Sequence, residues 1–447
     1  MCMRTLRSAL LWGAVVLAGR AGLAPMLLVR ATTAQAAASS PPPRVAVAAF
    51  RGQGQLAFLW NGRPYILDGQ KGTLHALPPV GSVASLAWSA DGQWLAYLAG
   101  AAPDGAGALW IMRADGRAAR QVQGLPTPVR AFAWSPRANT LAVLPQWDAR
   151  RLNGLWIVPA RAGVPRNVAP SSGGVGSFAW TPDGSRLALQ GADPRRRGVD
   201  LLEVVSLTGG RQRVVARTPI VHGQDTGLIV AGWWPDGQGL LYQLDPYHST
   251  SIAADGLPLL SLPLGGTARR LAVTLGYPEW LALWKGEVVL VTGLGRQIWA
   301  GKRLAICAER TASCRSLPQP RDAVSLDPAW SPDGAHIAFV RADDLGSIGG
   351  FGTTAALRAW VGSRTLWVAD ARGAGAHPVR QAGTGVYQPQ WSADGHHLLY
   401  VRDNALWLIA TSGGAPVRIV GPFPQAPDLF GYYGHVAWSS LFSWSRR

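Results

Sequence analysis

A unit built on Trp-Ser-Pro-Asp-Gly recurs along the whole chain, and it restricts the fold more than any other feature. Its cleanest copy is Trp330-Ser331-Pro332-Asp333-Gly334-Ala335-His336-Ile337-Ala338-Phe339-Val340. Trp88-Ser89-Ala90-Asp91-Gly92, Trp180-Thr181-Pro182-Asp183-Gly184, Trp234-Pro235-Asp236-Gly237 and Trp391-Ser392-Ala393-Asp394-Gly395 repeat it, and Trp134-Ser135-Pro136 is a looser copy. With a degenerate unit at Trp280 and a last one at Trp438, the anchors stand 46, 46, 54, 46, 50, 61 and 47 residues apart. A period of about 40–60 residues means one supersecondary unit per repeat, stacked on its neighbours.

Each unit reads as four strands. A short apolar strand such as Val129-Arg130-Ala131-Phe132-Ala133 precedes the tryptophan, a large apolar plate suited to the space between stacked sheets. Ser-Pro-Asp-Gly then turns the chain: proline presets φ, aspartate bonds back to backbone N–H groups, and glycine accepts φ > 0. An apolar second strand follows, then a variable loop and a third strand such as Leu155-Trp156-Ile157-Val158 or Leu366-Trp367-Val368-Ala369. A Gly-bearing turn and a polar outer strand complete the unit. The expected fold is all-β: a β-propeller of four-stranded antiparallel blades.

The ends predict how the ring closes. Gln55-Leu56-Ala57-Phe58-Leu59-Trp60, Tyr65-Ile66-Leu67 and Thr73-Leu74-His75-Ala76-Leu77 look like strands two to four of a blade lacking its first, with Asn61-Gly62 as a hairpin turn. The missing strand is His435-Val436-Ala437-Trp438-Ser439 or Leu441-Phe442-Ser443-Trp444-Ser445. Pairing them removes the free edges and yields eight blades, or seven if the Trp280 unit is irregular.

These residues resemble the TolB-type propeller repeat (WD40-like, PD40), whose signature is a strand, Trp-Ser-Pro-Asp-Gly and a second apolar strand. The resemblance covers nearly all of residues 50–447. It implies the fold, and through TolB itself a periplasmic protein that binds other proteins. TolB carries an additional α/β domain, for which this chain has no helical pattern. The same repeat occurs in the propeller domains of prolyl oligopeptidase-like enzymes, but no Gly-x-Ser-x-Gly elbow is present here.

Residues 1–36 read as an export signal or an uncleaved anchor: Arg4 and Arg7, an apolar run from Ala9 to Ala18, and Ala34-Gln35-Ala36 as a small-x-small cleavage site. Residues 37–49, with Pro41-Pro42-Pro43, read as an extended spacer, and 50–447 as a single propeller domain. The expected location is extracytoplasmic: periplasmic, cell-surface or secreted. Cleavage lowers the formal charge from +17 to +13, a field that favours acidic partners such as anionic envelope polymers or phospholipid head groups. Nucleic acid is not expected for an exported protein. Cys307 and Cys314 belong to one predicted hairpin, where an oxidising compartment would join them in a disulfide; two buried thiols are the alternative.

Long insertions fall between the second and third strands, on one face of the ring, and such insertions mark binding faces. They carry Trp147, Arg150 and Arg151; Arg195 and Arg196; Tyr247 and His248; and Asp343, Asp344, Arg358, Trp360 and Arg364. The connection 421–434 adds Tyr432 and Tyr433 on the same face. The repeated Asp91, Asp183, Asp236, Asp333 and Asp394 are turn formers, and Trp88, Trp134, Trp180, Trp234, Trp330 and Trp391 are blade anchors. No cofactor motif and no metal-ligand spacing occurs. The sequence points to a binding scaffold for a protein or an anionic cell-envelope polymer. The competing reading is a carbohydrate or lactone lyase or hydrolase acting at the channel mouth.

Overall fold

The computed structural model describes residues 41–78, 81–100, 105–146, 154–169, 174–193, 195–196, 198–208, 212–218, 225–348, 352–424 and 431–446. Eight four-stranded antiparallel sheets form the blades of a β-propeller. Blade 1 is composite: Gln55–Trp60, Arg63–Asp68 and Thr73–Ala76 are completed by Phe442–Ser445 from the far end of the chain. Leu56 pairs with Trp444 and Phe58 with Phe442, so the later of the two C-terminal candidates is the closing strand. Blades 2 to 8 occupy 83–121, 129–167, 175–217, 226–274, 281–316, 323–378 and 387–420.

The tryptophans explain why the blades stack. Six anchor indoles donate to the carbonyl just before the anchor position of the preceding blade. Trp134 Nε1 reaches Ala87 O at 2.9 Å, Trp180 reaches Ala133 O at 3.1 Å, and Trp391 reaches Ala329 O at 3.0 Å. Trp88 closes the sequence onto Ser443 O at 3.1 Å, which identifies Trp444 as the anchor of blade 1. In blades 2 to 6 the apolar core is a set of clusters between adjacent blades, while blades 8, 1 and 2 share one larger cluster and blades 6 to 8 share another with Trp299 and Trp360. Where such a plate is present, it buries an apolar face and satisfies its own polar atom in the same contact.

The Asp-Gly turns hold as expected. In blade 7 Ser331 Oγ donates to Asp333, Ala335 N donates to the same carboxylate oxygen at 2.9 Å, and His336 N returns to Ser331 Oγ at 2.9 Å. Gly334 takes φ 73°, the left-handed conformation that the turn requires. Blades 2 and 8 repeat the network with Ser89–Asp91 and Ser392–Asp394. In blade 4 Thr181 and then Ser185 hydrogen-bond Asp183 and hold its carboxyl at about 2.

Three anchor assignments need correction. In blade 5 the interblade plate is Trp233, whose Nε1 bonds Ala179 O at 3.1 Å. Trp234 takes the serine position of the turn and turns inward, fully buried and bonded to Ser261 Oγ at 2.9 Å. Two adjacent tryptophans left the register ambiguous in sequence, and only the interblade bond resolves it. Trp280 precedes its strand, Leu281–Trp284, in a one-turn 3₁₀ segment, and Trp438 likewise lies in Trp438–Ser440. Cys307 and Cys314 face each other in the outer hairpin of blade 6, their sulfurs 2.01 Å apart.

Residues 41–50 lie against the propeller instead of standing off as a spacer. Val45 bridges Val420 on the outer strand of blade 8, Ala46 N donates to Ile419 O at 2.9 Å, and Trp60 Nε1 donates to Pro41 O at 2.9 Å. The segment thus straps blade 8 to blade 1. No helix among the described residues is long and apolar enough to cross a membrane.

Candidate functional site

Three insertions and one connection meet on one face and form a cap over the channel mouth of blades 5 to 8. Blade 5 contributes helix α1 (Thr250–Asp255), capped by Ser249. Blade 7 contributes helix α2 (Thr354–Ser363), whose N-terminus Thr353 caps through Ala356 N. Between them lies the blade 6 loop 293–302. Its Arg296 grips Asp255 with a bidentate pair at 2.7 and 2.5 Å and lies 5.6 Å from the centre of the Tyr433 ring. Trp299 meets Trp360 edge-on at 6.1 Å, and Ile298 N donates to Tyr433 O at 3.1 Å. Lys302 anchors the loop from below, its Nζ donating to the carbonyls of Leu294, Gly295 and Ala300 at 2.8–3.0 Å. Burial lowers that lysine to about 8.

Beneath the cap, two polar clusters gather around Asp327 and Gln388 of the inner strands of blades 7 and 8. In the first, His435 Nε2 lies 2.6 Å from Glu279 Oε1 and its ring stacks on Tyr277 at 3.5 Å. Gln388 Nε2 donates to the same carboxylate oxygen at 3.1 Å. Burial pushes the Glu279 carboxyl up, but the charge and hydrogen bond of His435 together outweigh it and hold the group below its ordinary value of 4.5. In the second, Arg364 Nη2 meets Asp327 Oδ2 at 2.9 Å, its Nε meets Val386 O at 2.9 Å, and the guanidinium lies between Trp360 and Tyr387. Asp327 also accepts from Gln388 N at 3.2 Å and Trp280 Nε1 at 3.3 Å.

Asp327 and Gln388 are the residues that break the regularity of the ring. They adopt φ 51° and 43° inside the inner strands of blades 7 and 8, where the strand register shifts. Such bulges re-aim side chains, and a left-handed conformation at a non-glycine residue costs of order 1–3 kcal/mol, held in place by the surroundings. Both precede a proline two residues before the anchor, in Asp327-Pro328-Ala329-Trp330 and Gln388-Pro389-Gln390-Trp391. Blades 2 to 5 have no proline at that position. That proline, rather than loop length, is the sequence signal for the clusters.

The residues expected on the binding face divide into three groups. Trp360 and Arg364 are each 1% exposed and build the cap from inside rather than facing a partner. Asp344 serves the same end, accepting from Gly301 N at 3.0 Å, and Tyr433 stacks within the cap. On the surface stand Arg195, Arg196, Asp343 and Arg358, with Tyr432 partly covered. Tyr247 is 54% exposed, and its neighbour His248 lies 3.7 Å from Asp200. Both hold left-handed backbone, at φ 62° and 49°. Trp147, Arg150 and Arg151 lie outside the described residues. Among the described residues, no group of three or more His, Cys, Asp or Glu is placed to hold a metal ion.

A cavity of about 430 Å³ runs down the channel beside blades 6, 7 and 8, from Glu279 and Gln388 under the cap to Pro332 and Arg446 at the turn face.

The sequence matches no known family profile and no curated protein. Among solved structures, the chain is similar to Porphyromonas gingivalis dipeptidyl peptidase 4 at 9% identity and a TM-score of 0.55, over 84% of this chain and 60% of that one. It is similar to a prolyl endopeptidase at 13% identity and a TM-score of 0.47, over 84% of this chain and 51% of that one. A putative TolB from Agrobacterium tumefaciens matches at 14% identity and a TM-score of 0.35, over 76% of this chain and 94% of that one. The chain therefore spans about half the length of the prolyl endopeptidase. At these identities the likeness defines a class by fold alone: a β-propeller scaffold.

Proposed function

We propose that the protein is an exported binding scaffold whose cap contacts another protein. One observation carries this reading. Of the five large apolar side chains that stand exposed among the described residues, three belong to the insertions of blades 5 and 6: Tyr247 at 54%, Ile252 at 37% and Leu294 at 70%. Arg296, paired with Asp255, borders them. Apolar and aromatic anchors rimmed by charge are the composition of protein interfaces, and a helix-bearing cap gives them a rigid base.

The test is capture from the cell envelope with three immobilised proteins: wild type, Ile252→Asp/Leu294→Asp, and the turn-face control Val164→Asp. A protein retained by wild type and control but lost from the double variant is the expected result. Equal retention by all three removes the cap from the reading. Retention of an anionic polymer, abolished by salt and indifferent to the double variant, replaces the protein partner with a polymer.

The enzymatic reading rests on Glu279 and His435, a carboxylate and an imidazole within hydrogen-bond reach beside the cavity. Turnover of a carbohydrate or lactone that disappears in Glu279→Gln would favour it.

A further inference from the structure

We infer that the channel cavity of blades 6 to 8 is a binding site for a small linear zwitterion. Its ammonium group would meet Glu279 and Gln388 under the cap, and its carboxylate would meet Arg446 at the turn face.

The chemistry of the cavity is polarised along its length. At the capped end, Glu279 Oε1 is taken by His435 and Gln388, and Gln388 Nε2 is taken by Glu279 and by Val436 O at 3.3 Å. The atoms left for a ligand are the second carboxylate oxygen and the amide oxygen, both acceptors only. They call for a cationic donor. Asp327, which also borders the cavity, offers no such place because its two oxygens serve Arg364, Trp280 and Gln388 N.

At the opposite end the sign reverses. Arg446 directly follows the closing strand Phe442–Ser445 and lines the cavity with its guanidinium near the Trp444 ring, at 5.9 Å. It has no carboxylate partner among the described residues, unlike Arg364. A guanidinium without a partner beside a cavity is a site for a carboxylate. Between the two ends Leu283, Pro328, Ala329 and Pro389 give the wall an apolar stretch, with Gln390 and Ser439 beside it. The inner strand Leu281–Trp284 flanks this stretch, and its four residues at ~3.3 Å each give a span of about 13 Å. A ligand with a methylene chain between opposite charges fits this sequence of surfaces. The volume of about 430 Å³ suits a small molecule.

The experiment is calorimetric titration of the full chain with aminobutyrate, aminocaproate, aminocaprylate and aminolaurate, each bearing its amine at the chain end. Caproate and hexylamine are the single-charge controls. One member of the series should bind at least roughly tenfold tighter than either control, since each end contributes a charge-assisted hydrogen bond. Arg446→Gln, which removes no side-chain hydrogen bond or ion pair among the described residues, should remove that advantage while the melting temperature stays within about 2 °C of wild type. Arg446→Glu should transfer the preference to hexanediamine. Glu279→Gln should weaken the amine end; should that variant fold poorly, the two Arg446 variants decide. Equal binding of the series and its controls, or full binding by Arg446→Gln, overturns the inference.

Discussion

Blades 2 to 5 and blades 6 to 8 meet the same packing requirement by different means. In the first arc, each interface carries an anchor tryptophan whose indole bonds the preceding blade, and each inner strand has a one-residue bulge, four residues before the anchor in blades 2 to 4 and two before it in blade 5. In the second arc the blade 5/6 interface lacks this bond, because Leu283 stands at the anchor position. The pair Arg296–Asp255 links those two blades from above instead. At the blade 8/1 interface the Trp444 indole turns to Gln53 O, and residues 45–46 bridge the blades along their outer edge. The irregular arc also holds the left-handed inner-strand residues Asp327 and Gln388, the buried ion pair and the cavity. Repetition supplies stability and symmetry; a site for one ligand or one partner requires that the symmetry be broken.

The largest expected effect tests the closure that both arcs share. Deleting Phe442 to Arg447 removes the inner strand of blade 1, the acceptor for Trp88 and the partners of Leu56 and Phe58. The loss should exceed about 5 kcal/mol, comparable with the whole stability of a domain, so cooperative thermal unfolding should vanish. A truncated chain that melts with the full one would show that the ring does not depend on its closing strand.

Next in size is Arg364→Ala, which leaves the Asp327 carboxylate buried without its cation and should cost about 3–5 kcal/mol in urea unfolding. Amide exchange should rise first in α2 and in 293–302, while blades 2 to 5 keep their protection. Uniform exchange around the ring would erase the distinction between the arcs.

Asp245 provides a smaller and pH-dependent test in blade 5. It is 5% exposed and its Oδ1 has no hydrogen-bond partner; burial raises its carboxyl to about 6. The folded state therefore holds a proton that the unfolded state has lost between the ordinary value of 3.8 and about 6. Stability should fall as pH rises through that window, and Asp245→Asn should flatten the dependence and recover up to about 3 kcal/mol at neutral pH. A variant with the wild-type pH profile would refute the assignment.

The smallest effect concerns the indole bonds themselves. Trp134→Phe and Trp391→Phe each remove one bond while keeping an aromatic plate, and each should cost about 1–2 kcal/mol by chemical denaturation. Equal costs in the two arcs would confirm that the repeat is energetically uniform and that the difference lies elsewhere.

Much of the fold was legible because the repeat is local. A strand, a plate, a turn and a second strand sit within about a dozen residues, and each choice agrees with the next. The number of blades, the composite first blade and the pairing of Cys307 with Cys314 follow from such short-range signals. Trp234 marks their limit: two neighbouring tryptophans satisfy the same pattern, and the choice is made by Ala179 in the preceding blade. Arg364 and Trp360 mark another. Long polar-aromatic insertions look alike whether they face solvent or fold back over a channel, and burial is a property of the assembled surface.

The sequence alone determined that this chain builds blades, that the blades number about eight and that its ends must meet, since periodicity and turn chemistry act over a few residues. Only the tertiary structure decided that Glu279, Asp327, Gln388, His435 and Arg446 share one channel. Those residues lie up to 167 positions apart in the chain. What joins them is ring closure, which brings non-local segments to one axis and leaves no mark in any single repeat.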